Sequence, residues 1–297
     1  MMPLYKSEIE FITEKAVNPD RRRYAVAGEA EKHYIDLDYY GDSALTILPN
    51  YWPEAIKQFP EDSLRAHGIG PCSAFLTFLC LTHAFEKKNK AAILRLSADL
   101  GHYLGDLNVP LHTTKNYNGQ LTGQDGIHGF WESRVPELLA KDYAFWVGKA
   151  EYVEKPQLAI WDAVAVAHTM VDSVLRIEKE LTAQFPEDQK YSYEERNGLT
   201  VRVYSRDFTL AYAQALDNQV ERQMKKSIKM IADFWYTAWI DAGQPDLNSL
   251  LKNPIDLEEE KLENSKPLKV REHEGTASSE NPEELRKSFY RSMWRLE

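Results

Sequence analysis

Cysteine is scarce: Cys72 and Cys80 are the only two in 297 residues. Both fall in the apolar run PCSAFLTFLCLTHAF. On one helix they would stand about 12 Å apart along the axis, beyond the roughly 7 Å between Cα atoms that a disulfide tolerates. Both read as buried small hydrophobes, and no disulfide staples the chain. Long apolar stretches are also missing. No run of about eighteen apolar residues stands out, so no membrane span is expected. The opening MMPLYKSEIEF lacks the apolar segment of a signal peptide, so no export signal is expected either. Positive charge is in deficit, with 36 Lys and Arg against 46 Asp and Glu and a net charge of −10. That excludes a broad basic footprint for nucleic acid. There is no serine or cysteine nucleophile motif, no phosphate-cradling glycine loop and no internal repeat.

What is present is an ordinary globular composition, 43% hydrophobic and 28% charged, with ample material for a core. The periodicity is helical. Residues 6–17 read as a short amphipathic helix with Ser7 as its cap, and residues 18–42 as mostly loop. Prolines 49, 53 and 60 punctuate a stretch holding one helix, PEAIKQF. Residues 71–88 and 90–107 read as two long helices, the first apolar nearly all round and therefore central. Further helices are expected to about Lys141, over 158–184 and over 207–241, the last ending at Gly243 and Pro245. Its Trp and Tyr read as core. A small hairpin is expected in 186–206, turning at Asn197-Gly198. The fold class is all-α, one multi-helix bundle over residues 1–252. Residues 253–297 read as a charged tail with a terminal helix.

The chemistry concentrates in HYLGDLNVPLHTTKNYNGQLTGQDGIHGFWE, residues 102–132. His102 and Asp106 are four apart, His112 follows six later, and His128 and Glu132 are again four apart. On a helix, residues four apart share one face. Two helices joined by an Asn-, Gly- and Thr-rich loop thus each offer an imidazole and a carboxylate, a donor set suited to zinc. A single such pair is usually an exposed ion pair; two pairs with a further His between them point to a metal site.

HYLGDLNVPLH…HGFWE resembles the zinc-dependent phospholipase C family, which shares its fold and zinc site with single-strand-specific zinc nucleases. The family pattern is His-x3-Asp-x5-His, then His-x3-Glu or His-x3-Asp, and every position is filled here. The closing FWYTAWIDAGQPDL also looks like the last core helix of bacterial members. The resemblance implies two more ligands upstream: Asp20, and His33 in His33-Tyr34-Ile35-Asp36. It implies one zinc held by Asp20, His33, His102 and Asp106 and a second by His112, His128 and Glu132, with catalytic roles for Asp20 and Asp106. It makes Arg23, Tyr34 and Asp36 substrate-binding residues. Their alternatives are a solvated charge for Arg23 and loop caps for the other two. A third family zinc takes an N-terminal Trp, a nearby His and the bridging Asp; no Trp precedes Trp52 and no His precedes His33, so that site is expected to be incomplete and a first helix to be missing. The family is exported.

The expected activity is phosphodiester hydrolysis by a metal-activated hydroxide on a phospholipid head group. A single-strand nuclease or nucleotidase of the same fold is the runner-up, and a non-catalytic zinc-binding protein the third reading. Two zincs against Asp20, Asp106 and Glu132 leave a positive site for an anionic ester inside an acidic protein. His83 reads as a core residue, and His67, His168 and His273 as structural or surface. Phe130 and Trp131 read as core rather than substrate wall.

Overall fold

In the computed structural model, residues 1–196 and 198–252 are described. The expected tail, terminal helix and His273 lie outside the described residues. Fifteen short and long α-helices and one hairpin make up the described chain, in line with the mostly helical expectation. In order they are α1 (Met2–Ser7), α2 (Ile9–Lys15), α3 (Asn18–Arg22), α4 (Ala44–Ile47), α5 (Trp52–Gln58), α6 (Glu61–Ala66), α7 (Gly70–Lys87) and α8 (Lys90–Asp106). Then come α9 (Ile127–Gly129), α10 (Val135–Leu139), α11 (Pro156–His168), α12 (Val171–Gln184) and α13 (Glu187–Lys190). Strands β1 (Tyr191–Arg196) and β2 (Leu199–Tyr204) precede α14 (Arg206–Ala215) and α15 (Gln219–Asp241).

Helices α7 and α8 are the two long helices expected. Lys88, in the left-handed region at φ 52°, ends the first, and the Asn89 side chain accepts from the Ala92 amide to cap the second. Helix α7 is central: it packs on α8, α11 and α15. Phe78, Leu81 and Phe85 are almost wholly buried along it. Phe85→Ala should destabilise the protein by about 3–5 kcal/mol, read as a lower midpoint in urea with unchanged slope. Cys72 and Cys80 both lie on α7, unpaired and partly rather than fully buried.

The apolar interior divides into two clusters. One gathers α1, α2, α7, α8, α11 and α15; the other gathers Val109, Leu111, Ile127, Phe130, Trp131, Val174, Phe208 and Tyr212. Phe130 stacks on Tyr204 and the Trp131 indole donates to Gln219 Oε1, so both belong to the core. The stretch from the end of α8 to α9 passes from one cluster to the other, and it carries the histidine–carboxylate motif.

Several elements depart from expectation. The helix over 158–184 is broken between α11 and α12, where the Met170 amide bonds Ala167 and the last turn tightens. Pro156–Gln184 also contains an eighteen-residue window of mean hydropathy 1.4, about a third of it buried. By composition alone it could cross a membrane, a more apolar stretch than anticipated. The helix over 207–241 is interrupted by Asp217 and Asn218, both left-handed at φ 51° and 53°. Asp and Asn tolerate that conformation better than most residues. The region read as one helix among prolines holds α4, α5 and α6, and the loop over 18–42 contains α3 and two short 3-10 turns, Ala30–Lys32 and Leu37–Tyr39. Ser7 does not cap a helix; its hydroxyl donates to the Leu4 carbonyl at the end of α1, and Glu8 occupies the capping position of α2. The hairpin forms as expected, with Tyr191 opposite Tyr204 and Arg196 opposite Leu199.

Candidate metal centre

The motif sits at the seam between the two clusters. His102 and Asp106 occupy the last turns of α8, on one face. A helix C-terminus favours a nearby cation. His112 follows in the 3-10 turn Pro110–Thr113. His128 lies in α9, which opens at Gly126 with φ 93°, and Glu132 in a π turn, Phe130–Arg134. The π turn has a local cause. Pro136 has no amide to offer the Glu132 carbonyl, and the Val135 amide reaches back five residues to Phe130. Such turns recur at functional sites.

Asp20 and His33 arrive from α3 and from the end of the Ala30–Lys32 turn. His33 Nδ1 lies 2.8 Å from Asp106 Oδ2, 3.1 Å from His102 Nε2 and 3.7 Å from Asp20 Oδ1. His102 Nε2 is 3.3 Å from Asp106 Oδ2 and 3.7 Å from Asp20 Oδ1. In the second group, Glu132 Oε2 is 2.7 Å from His128 Nε2 and 3.5 Å from His112 Nε2. Two ligand atoms at about 2.1 Å from a tetrahedral zinc stand about 3.4 Å apart, close to most of these separations. Within each of the trios Asp20, His33, His102 and His112, His128, Glu132, the ligand-type atoms lie within 4.8 Å of one another. Six of the seven residues singled out as ligands thus fall into two groups that could hold metal ions, and Asp106 adjoins the first through His33 and His102.

The rings are aimed from behind. His112 Nδ1 donates to the His33 carbonyl (2.6 Å) and His128 Nδ1 to the Tyr117 carbonyl (3.1 Å). A ring that donates through one nitrogen presents the lone pair of the other, as metal-ligating histidines do. His112 Nε2 is buried and makes no hydrogen bond, with Glu132 Oε2 its facing carboxylate at 3.5 Å, a nitrogen that a cation would satisfy once its proton is displaced. The donor set and this buried atom fit a divalent metal ion. The two groups adjoin: the His33 side chain belongs to one while its carbonyl orients a ligand of the other. The Ile35 amide returns a bond to the His112 carbonyl at 2.9 Å.

Electrostatics follow from this crowding. Burial opposes charge on His112, but Asp106 and Glu132 outweigh it and raise its pKa to about 9. His112 and His128 hold Glu132 far below the ordinary carboxylate range despite burial. The His102 contact, foremost, also holds Asp20 low.

The loop between the groups is built for its shape. Asp38 accepts from the Thr114 hydroxyl and the Lys115 amide. Gly119 has φ 76°, and a Cβ there would meet the Gln124 carbonyl oxygen at 2.4 Å. Gly68, at φ 89°, allows the same close approach to the Tyr34 carbonyl.

No model of a known protein family matches the chain, and no curated protein matches it in sequence. The candidate centre therefore stands on its own geometry.

Of the three expected substrate-binding residues, Arg23 lies at the rim, 3.7 Å from Asp20. Tyr34 and Asp36 lie just beyond His33; the Tyr34 hydroxyl donates to the Ala66 carbonyl, and Asp36 faces His67 Nδ1 at 3.5 Å. Burial foremost raises the Asp36 pKa. His67 stacks on Tyr39 and His168 shares a hydrogen bond with Thr113, both structural as expected. His83 is not a core residue: it is half-exposed and pairs with Glu86, because it falls on the outer face of α7. Sequence reading missed the charge cluster under the first group, the buried Glu29 and Asp99 with the partly exposed Arg22. Arg22 was hidden in a run of three arginines.

Proposed function

We propose that this chain is a zinc-dependent phosphodiester hydrolase of the phospholipase C type. The observation that carries the reading is the pair of adjoining ligand groups, joined through His33, at the positions that the resemblance gives to the family's first two zincs. When bound, paired zinc ions supply Lewis acidity that activates water and neutralises phosphate charge. The protein's own groups do the rest. Asp20 is the most exposed of the three ligand carboxylates, at 54% against 36% for Glu132 and 8% for Asp106. It faces the solvent from which water and substrate arrive and, as the most accessible of the three, would orient the incoming water. Asp106 sits between His33 and His102 and fixes both rings. Arg23 beside Asp20 offers a positive charge to the phosphate oxygens.

A nuclease reading has its own support. Tyr24 is 78% exposed beside Arg23, and Tyr117 is 54% exposed beside the His128 ring. Exposed aromatic faces next to a phosphate site stack unpaired bases. Zinc-loaded protein should hydrolyse phosphatidylcholine in preference to single-stranded DNA, and a chelator should abolish the activity. Cleavage of DNA alone would reverse the order. Zinc binding with no phosphodiester cleaved would leave only a non-catalytic zinc protein.

A further inference from the structure

A second charged cluster lies beneath the first ligand group and shares none of its ligand atoms. Its centre is Glu29, only 2% exposed. Glu29 accepts from Lys32 Nζ at 2.8 Å, from Arg22 Nη2 at 3.2 Å and, through a very short bond, from the Tyr103 hydroxyl. Arg22 also grips Asp99, with Nη2 3.0 Å from Oδ2 and Nη1 3.3 Å from Oδ1. Asp99 is 8% exposed and Tyr103 2%. The His33 ring meets the Tyr103 ring edge-on at 5.5 Å.

Each chain segment that delivers a ligand enters this cluster. Arg22 lies two residues after Asp20. Glu29 lies four before His33, and Lys32 immediately before it. Asp99 and Tyr103 share α8 with His102. The segment that presents Asp20, α3, is only five residues long. A helix that short is not stable by itself, so its place over α8 depends on such ties. Burial works against the charge on Glu29, but Lys32 and Arg22 outweigh it and hold the carboxyl below its ordinary range.

We propose that Glu29, with Arg22 and Asp99, forms a positioning cluster for the first ligand group, locking Asp20 and His33 against His102. The proposal rests on the reading that this group holds a metal. A merely structural role would lower stability without distinguishing the two groups. A positioning role weakens metal binding at the first group alone.

Zinc affinity of the full chain, measured by competition with a chromophoric chelator, separates the two. It is read in the natural sequence and in a His128→Ala background that disables the second group. Glu29→Gln keeps the side chain's shape, and Arg22→Met removes the tie to Asp99. Each should weaken zinc at the first group roughly 10–100-fold, the usual cost of losing an outer-shell partner. The second group's affinity stays unchanged in the intact background and shows that the variant is folded. Lys190→Met breaks another buried ion pair, with Glu178 at 2.8 Å, and should lower the melting temperature while leaving the first group's affinity as it was. Glu29→Gln with unaltered first-group affinity would overturn the proposal and leave the hydrolase reading intact. Failure of the natural chain to bind zinc at the first group would overturn both.

Discussion

Asp106→Asn should cost hydrolysis at least about 10²–10³-fold, the usual loss on removing one electrostatic stabiliser from a preorganised site. The substitution keeps the side chain's size and removes a charge that lies 2.8 Å from His33 Nδ1 and 3.3 Å from His102 Nε2. In one of its two rotamers it also places an amide nitrogen, which has no lone pair for a metal, where a carboxylate oxygen stands in the natural chain. The first group should then bind zinc far more weakly while the second keeps its metal, so metal analysis after mild chelation should fall from two equivalents to one. His83→Gln supplies the contrast. His83 sits on α7, about a third exposed, pairs with Glu86 and belongs to neither ligand group. Its loss should leave activity and metal content unchanged. Equal losses from the two substitutions would mean that convergence on the seam, rather than mere histidine content, is irrelevant to activity.

How much of this could be read in advance depends on whether the cause is local. His102 with Asp106 and His128 with Glu132 were legible because a helix fixes residues four apart on one face whatever surrounds it. Asp20 and His33 have no such local relation to α8; only the family pattern pointed to them. The backbone carbonyls of His33 and Tyr117 that orient the rings leave no trace in residue identity. The long helices α7 and α8 were legible from their apolar periodicity and their polar connection. The breaks at Thr169–Met170 and Asp217–Asn218 were not, since neither contains Pro or Gly and each continues the helical pattern on both sides. The Arg22–Glu29–Asp99 cluster shows a further limit. Charged residues in a loop read as solvated until the fold stacks that loop on a helix, and one of three consecutive arginines cannot be chosen by composition.

Stability and zinc affinity should respond to pH in opposite directions. Without metal, the folded-state pKa of His112 is raised to about 9 from an ordinary 6.5. A raised pKa stabilises the fold fully below about pH 6.5 and loses that contribution as pH climbs through 9. The linked free energy is on the order of 3 kcal/mol, and the depressed Glu132 pKa reports the same contact from its other partner, so the two are not added. Metal-free protein should therefore melt at lower temperature at pH 9 than at pH 6.5. Zinc requires the Nε2 lone pair, so binding at the second group must expel the His112 proton. Affinity there should rise about tenfold per pH unit across the same window and level off above it. Calorimetry in buffers of different ionisation enthalpy would count the proton released at pH 7. Zinc affinity flat from pH 6.5 to 9, with no proton released, would show that His112 is not a ligand. The second group would then be a histidine–carboxylate ion pair in a protein that needs no metal there.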